Sequence, residues 1–166
     1  IGEYPVQVVA SVAQICIAAE KQRHTKASQH RLQNHFQRID EAIAMAAIYT
    51  ANHLEVKAIV ALTESGSTPL WMSRISSAIP IYGVSRNKYA LGRMTLYRGV
   101  YPIAFDITGY QRWEVIREVL TVLQEQGIVV VGDRVIITRG DILGVIGYTN
   151  VMKIITVGAE QKQEIE

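Results

Sequence analysis

Short apolar runs alternate with helix-forming stretches from residue 57 to the end of the chain. Runs of this length are typical of buried β-strands, and the segments between the first four show helical periodicity. Alternation of this kind favours crossover connections around a mainly parallel sheet. The predicted strands are residues 58–62, 79–84, 101–105, 134–138 and 153–157, and the predicted helices between the first four are residues 69–76, 88–97 and 113–126.

Two further helices are predicted before the first strand. Pro5 suits a first helical position, and apolar residues recur at helical spacing as far as Glu20, so residues 5–20 should be helical. Residues 39–54 are rich in alanine, which favours a buried helix that packs closely. Between these helices, residues 21–37 are polar and read as an exposed connector.

The last predicted strand follows a loop, residues 139–150, that contains no obvious helix. We therefore expect this strand to run antiparallel at an edge of the sheet. The fold class predicted is a single α/β domain over residues 1–158. It should be a three-layer α/β/α sandwich around a five-stranded, mostly parallel sheet, with a frayed tail at residues 159–166.

Composition narrows the functional classes. With 166 residues, 49% of them apolar, the chain can bury a real core. Its net charge of +2 supplies no broad field for nucleic acid. Cys16 is the only cysteine, so neither a disulfide nor a thiolate metal cluster can form within the chain, and a cytoplasmic location is expected. No targeting or membrane segment is evident, and the start at Ile1 suggests a piece cut from a longer polypeptide.

The segment after the first strand has the chemistry of a phosphate-binding loop. Thr68 precedes Pro69, which predicts that Thr68 caps a helix whose free amides face the loop. In an open α/β sheet, ligands gather at the carboxyl ends of the strands, where this loop should lie. The expected ligand is a phosphate monoester, held by Thr63, Ser65, Gly66, Ser67 and Thr68.

The alternative is a capped turn whose hydroxyl groups only satisfy helix amides. The carboxylate of Glu64 would also repel a phosphate unless it turned away or bound sugar hydroxyls. The loop matches neither a Walker nor a dinucleotide-binding motif. The sequence alone is compatible with both interpretations of the loop.

A second loop, predicted over residues 139–150, contains three glycines and could fold across a ligand held by the first. Arg139 could bind a phosphate through two nitrogens, Gly140 follows it, and Asp141 could accept hydrogen bonds from sugar hydroxyls. The alternative is a glycine-rich turn that only connects two strands.

Catalytic and metal sites are not indicated. His24, His30, His35 and His53 do not show metal-ligand spacing, so no metal is assigned. Ser65 as a nucleophile would need a base, and no histidine follows His53. We expect no catalytic residue in this chain.

Taken together, these loops and several other segments resemble the carboxyl-terminal domain of pyruvate kinase, over nearly the whole chain. The loop sequences look most like bacterial isoenzymes activated by sugar monophosphates or AMP. Many members of that family have lysine or arginine at the position of Ser67. The segments that carry the resemblance are residues 4–6, 41–47, 62–66, 73–74, 78–81, 96–102, 132–136 and 149–157.

The resemblance implies an allosteric domain of a homotetrameric glycolytic enzyme. The effector phosphate would contact residues 63–68, and Glu64 would contribute through its backbone. The loop that contains Arg139, Gly140 and Asp141 would close over the phosphate. Catalysis, with its magnesium and potassium, would belong to an amino-terminal barrel that this chain lacks, so the chain should need no cofactor and be inactive alone. Its expected partners are that barrel, further copies of the chain and a phosphorylated small molecule. The alternatives are a purely structural oligomerisation domain and a stand-alone phosphosugar module.

Overall fold

The computed structural model describes residues 2–21, 35–75, 77–111, 114–142 and 147–159. All five predicted strands and all five predicted helices are present, with boundaries shifted by a few residues. The helices are α1 (Pro5–Glu20), α2 (Ile39–His53), α3 (Ser67–Ser73), α4 (Lys88–Met94) and α5 (Glu114–Glu125). The strands are β1 (Ala58–Leu62), β2 (Ile81–Ser85), β3 (Val100–Ala104), β4 (Arg134–Gly140) and β5 (Thr149–Thr156).

The sheet has the strand order β3-β2-β1-β4-β5. The first four strands in that order run parallel, whereas β5 is antiparallel to β4 and lies at the edge. Strand β1 is central, and each of its residues is buried, as expected for a parallel strand covered on both faces. The predictions of a mostly parallel sheet and an antiparallel last strand are confirmed.

Helices cover the sheet on both faces. Successive side chains of β1 point to opposite faces, so Val60 packs in the core beneath α5 while Ile59 packs in the core beneath α2, α3 and α4. Helix α5 presents an apolar face at helical spacing, and this face is buried on the sheet. The predicted three-layer sandwich is therefore confirmed. The buried residues of α5 are Val115, Ile116, Val119, Leu120 and Leu123.

The bounds predicted for the loop, residues 139–150, were wrong at both ends. Arg139 and Gly140 continue β4, and β5 begins at Thr149, four residues before the predicted start at residue 153. The ladder passes an irregularity between Arg139 and Gly140, where Gly140 pairs with Thr149. A Cβ atom on Gly140 would lie 2.7 Å from the carbonyl oxygen of Tyr148, so the glycine permits this close pairing. An Arg-Gly-Asp segment is typical of a turn, but here pairing with the edge strand β5 extends β4 through Arg139 and Gly140.

Helix α1 differs from the other helices because the side chains described on it are all exposed. Most of the predicted connector, and all of the predicted tail except Ala159, fall outside the described residues. Within the described part of the chain, no helix is both long and apolar enough to cross a bilayer.

Candidate functional site

A crevice forms where the connections of the sheet change sides. The chain passes from β1 to β2 through α3 on one face, and from β3 to β4 through α5 on the other face. Strands β1 and β4 are parallel neighbours, so their carboxyl ends diverge into connections that leave a gap between them. Open α/β sheets bind ligands at such switch points.

A polar recess that encloses about 30 Å³ occupies this position. That volume holds a small group rather than a whole nucleotide. Five of the nine predicted site residues line the recess. The other four, Ser65, Gly66, Thr68 and Asp141, do not. The lining residues are Leu62, Thr63, Glu64, Ser67, Ile107, Arg139, Gly140, Ile142, Gly147 and Thr149.

Two nitrogens of Arg139 have no partner in the part of the chain that the structure describes. Its Nε and Nη1 atoms are buried, and neither donates a hydrogen bond to any described residue. A buried guanidinium without partners is costly, and a doubly bonded oxyanion would satisfy it. The backbone N–H groups of Glu64 and Ser65 likewise donate to no described residue. Arg139 and Glu64 line the recess, so their unused donors give it the chemistry of an anion site, whereas Ser65 does not line it.

The loop hydroxyls organise the loop itself. Thr63 Oγ1 accepts the N–H of Gly66 at 2.9 Å, and Ser65 Oγ accepts the N–H of Ser67 at 3.3 Å. Since both hydroxyls act as acceptors in these bonds, each keeps its own proton for another partner. Two loop hydroxyls therefore bond backbone amides at the start of α3, as the alternative interpretation expects in part, and anion binding stays a prediction.

The prediction that Thr68 caps the helix was wrong. Helix α3 begins at Ser67, its N-cap is Gly66 at φ 77°, and no side chain caps it. Thr68 lies in the first turn with 1% of its surface exposed, and its hydroxyl bonds that of Thr149 at 2.8 Å. Gly66 reaches the left-handed region without strain, which lets the helix start earlier than the Thr-Pro pair indicates. Because α3 has only seven residues, we assign it no dipole-based binding.

The charge of Glu64 is partly balanced. Its Oε2 atom lies 3.6 Å from Nε of Arg86, which follows β2. This pairing weakens the repulsion that Glu64 would exert on an anion in the recess. Arg86 is thus engaged by Glu64, whereas the two buried nitrogens of Arg139 are unpaired among the described residues.

Asp141 is engaged at the base of the hairpin that joins β4 to β5. Its N–H donates to Asn150 Oδ1 at 2.9 Å, and Asn150 Nδ2 donates to Asp141 Oδ2 at 3.1 Å. These two bonds hold the ends of the hairpin together. A contact between Asp141 and sugar hydroxyls stays a prediction.

Sequence reasoning missed a charged pair beside the loop. Arg38 donates to Asp40 through Nε at 2.9 Å and through Nη2 at 2.8 Å. The Ser67 hydroxyl donates to the same carboxylate at 3.3 Å, and Asp40 is only 1% exposed. An acidic residue in a first helical turn is ordinary, so nothing in the sequence distinguished Asp40. Its contact with Ser67 joins residues 27 positions apart, which only the fold brings together.

These contacts hold the pKa of Asp40 below its ordinary value of 3.8. The hydrogen bonds from Arg38 are the main cause, and they outweigh burial, which acts in the opposite direction. The charge of Arg38 and the bonds from the Ser67 hydroxyl and the Glu41 N–H lower the pKa further. A lowered pKa in the folded state stabilises the protein above the unfolded pKa, and this contribution is lost as the pH falls through the folded value.

Asp40→Asn is therefore expected to cost about 1–3 kcal/mol of unfolding free energy at pH 7, because charge-assisted hydrogen bonds are lost. Wild type and variant should draw together as the pH falls below about 4, the pKa of an unfolded aspartate, and on through the lower pKa of folded Asp40. Urea unfolding between pH 7 and pH 3 measures the difference. A gap that stays constant over this range would contradict the role assigned to Asp40.

Metal ligands do not cluster in the described ranges, which contain no group of three or more His, Cys, Asp or Glu side chains able to hold an ion. His24 and His30 lie outside those ranges. Cys16 is exposed on α1.

The domain is thus an open α/β sheet with a polar recess at its switch point, the place where sheets of this kind bind ligands. Residues 41–155 match the family model described as the pyruvate kinase alpha/beta domain, and the chain belongs to this family. The resemblance drawn from the sequence is confirmed.

Relatives agree with this assignment. Pyruvate kinase II of Salmonella typhimurium is 45% identical over 157 residues, which cover 94% of this chain and 32% of the relative. Pyruvate kinase of Buchnera aphidicola subsp. Acyrthosiphon pisum gives the same identity and the same shares. Pyruvate kinase of Haemophilus influenzae is 43% identical over 141 residues, covering 84% of this chain and 29% of the relative. The chain thus spans about a third of the length of the curated relatives it matches.

Proposed function

We propose that this chain is the effector-binding and subunit-assembly domain of a pyruvate kinase, and that the recess binds the phosphate of a sugar monophosphate or AMP. The observation that carries the proposal is Arg139, whose buried Nε and Nη1 atoms lack partners among the described residues at the edge of the recess. Evolution of a purely structural site would favour pairing or removing such a group.

The donors around the recess suit a tetrahedral dianion. Arg139 offers a planar fork that matches two phosphate oxygens. The hydroxyl of Thr63 can donate a proton to a third oxygen, and the N–H groups of Glu64 and Ser65 are further unused donors in the same loop. The small volume accepts the phosphate group and leaves the sugar at the open side, where Glu64 could meet hydroxyl groups.

The parent protein, on this proposal, transfers phosphate from phosphoenolpyruvate to ADP in glycolysis, in the cytoplasm. Its catalytic residues, magnesium and potassium would lie in a domain outside this chain, which covers about a third of its relatives. This chain alone should then show no kinase activity. Allosteric control requires that the effector bind two states of the whole enzyme with different affinities.

The test is thermal unfolding of the chain with ribose 5-phosphate, glucose 6-phosphate and AMP. At a hundred times the dissociation constant, a ligand should stabilise the native state by about 2.7 kcal/mol and raise Tm by about 5 to 10 °C. Ribose, glucose and adenosine are the matched controls, and they should leave Tm unchanged. Absence of any shift with all three phosphates, and with inorganic phosphate, would refute effector binding.

The assembly role has separate support in α1. This helix exposes large apolar side chains to solvent, which is typical of a surface that contacts further protein. Sedimentation velocity with and without glucose 6-phosphate separates the two roles. Self-association that ignores the phosphate, together with an unchanged Tm, would favour a purely structural domain. The exposed apolar residues of α1 are Val6, Val8, Val9, Val12, Ile15 and Ile17.

A further inference from the structure

We propose that Arg38 is a second guanidinium of the phosphate site and that Asp40 is the residue that positions it. This inference rests on the proposed function and adds a residue that neither the loop motif nor the glycine-rich segment contains. Arg38 precedes α2, far in sequence from Arg139, and its side chain lies beside two residues that line the recess.

Two lining residues place Arg38 at the mouth of the recess. A Cβ atom built on Gly147 would lie 3.4 Å from Arg38 Nη2, so the guanidinium touches the segment that leads into β5. Ser67, on the other side, donates its hydroxyl to Asp40 Oδ2, the same oxygen that accepts from Arg38 Nη2. Arg38 therefore lies next to both Gly147 and Ser67, which line the recess.

Arg38 keeps donors for a ligand. A guanidinium has five N–H groups, and Asp40 accepts from Nε and from one N–H of Nη2. The remaining donors lie on Nη1 and on the second N–H of Nη2. Since 53% of the Arg38 side chain is exposed, these donors can meet an anion without a large change in burial.

Asp40 limits the positions that the guanidinium can take. Its carboxylate is 1% exposed and fixed at the start of α2, where it also accepts the N–H of Glu41 at 3.1 Å. The Arg38 backbone carbonyl accepts the N–H of Ala42 at 3.1 Å, so the main chain of Arg38 is held as well. A flexible side chain anchored at both ends loses less entropy when it binds a ligand. Asp40 thus acts through Arg38 and does not touch the phosphate.

Calorimetric titration of the whole chain with inorganic phosphate and with glucose 6-phosphate tests the inference. Arg38→Ala should weaken both by about tenfold, because a charge-assisted contact is lost. Arg38→Lys should recover part of the affinity, since it restores the charge but not the fork. Arg93→Ala is the matched control. Arg93 is exposed on α4 and does not line the recess, so its substitution removes the same charge at a distant position. It should leave both affinities unchanged.

A double-mutant cycle tests the positioning role of Asp40. Asp40→Asn should weaken phosphate binding by about threefold in the wild-type background and have no effect in the Arg38→Ala background, because its influence passes through Arg38. Equal losses in both backgrounds would overturn the positioning role. Circular dichroism of each variant shows whether it is folded, and the Arg38→Lys comparison decides the outcome if Arg38→Ala does not fold.

The outcomes distinguish this inference from the proposed function. If the wild-type chain binds no phosphate compound, the proposed function fails, and this inference fails with it. If the wild type binds glucose 6-phosphate and both Arg38 variants bind it equally well, the recess is an effector site without Arg38, and only this inference is overturned.

Discussion

Arg139→Ala is expected to remove at least half of the phosphate-dependent stabilisation while leaving the ligand-free protein at least as stable as the wild type. The two effects have one cause. Nε and Nη1 of Arg139 are buried and form no hydrogen bond with any described residue, so burying them carries a desolvation cost. A bound phosphate supplies those partners, and its loss removes about 1.5–3 kcal/mol of binding free energy, or about 10 to 150-fold in affinity.

Thermal unfolding with and without glucose 6-phosphate measures both effects. Arg134→Ala is the matched control, because Arg134 is an exposed arginine at the other end of β4 and its removal changes the net charge equally. The control should keep the ligand-dependent shift in Tm. A fall in the ligand-free stability of Arg139→Ala, with an intact response to phosphate, would show that Arg139 is a structural residue.

Leu123→Ala is expected to lower the free energy of unfolding by about 2–5 kcal/mol. Leu123 is fully buried on α5, and α5 is the one helix among the described elements whose residues join this core. The side chain packs in the same core as Val84, Ile103 and Phe105, so truncation would leave a cavity among them.

Urea unfolding gives the value, and Glu125→Ala, at an exposed position of the same helix, should change stability by less than about 0.5 kcal/mol. Under conditions in which both proteins stay folded, Leu123→Ala should bind phosphate as the wild type does, because α5 lies on the face of the sheet away from α2 and α3. A cost below about 1 kcal/mol would mean that α5 packs less tightly than its burial indicates.

Sequence patterns alone were enough to predict the class of fold. Apolar runs of strand length separated by amphipathic stretches permit few arrangements, and the absence of a helix before the last strand was enough to predict its antiparallel direction. The alanine-rich segment was correctly predicted as the buried helix α2. The position of the recess also followed from the sequence, because residues after a parallel strand lie at the carboxyl edge of the sheet.

The hydrogen bonds that individual side chains make around the recess depend on long-range contacts of the fold. The Thr68 hydroxyl bonds Thr149, 81 positions away, instead of capping its helix, and Ser67 bonds Asp40 across 27 positions. Arg139 belongs to a strand because an edge strand pairs with it. Local sequence specifies which bonds a side chain can make, but burial and long-range pairing decide which partner competes best. That competition left Arg139 without a partner among the described residues and placed Arg38 beside the recess.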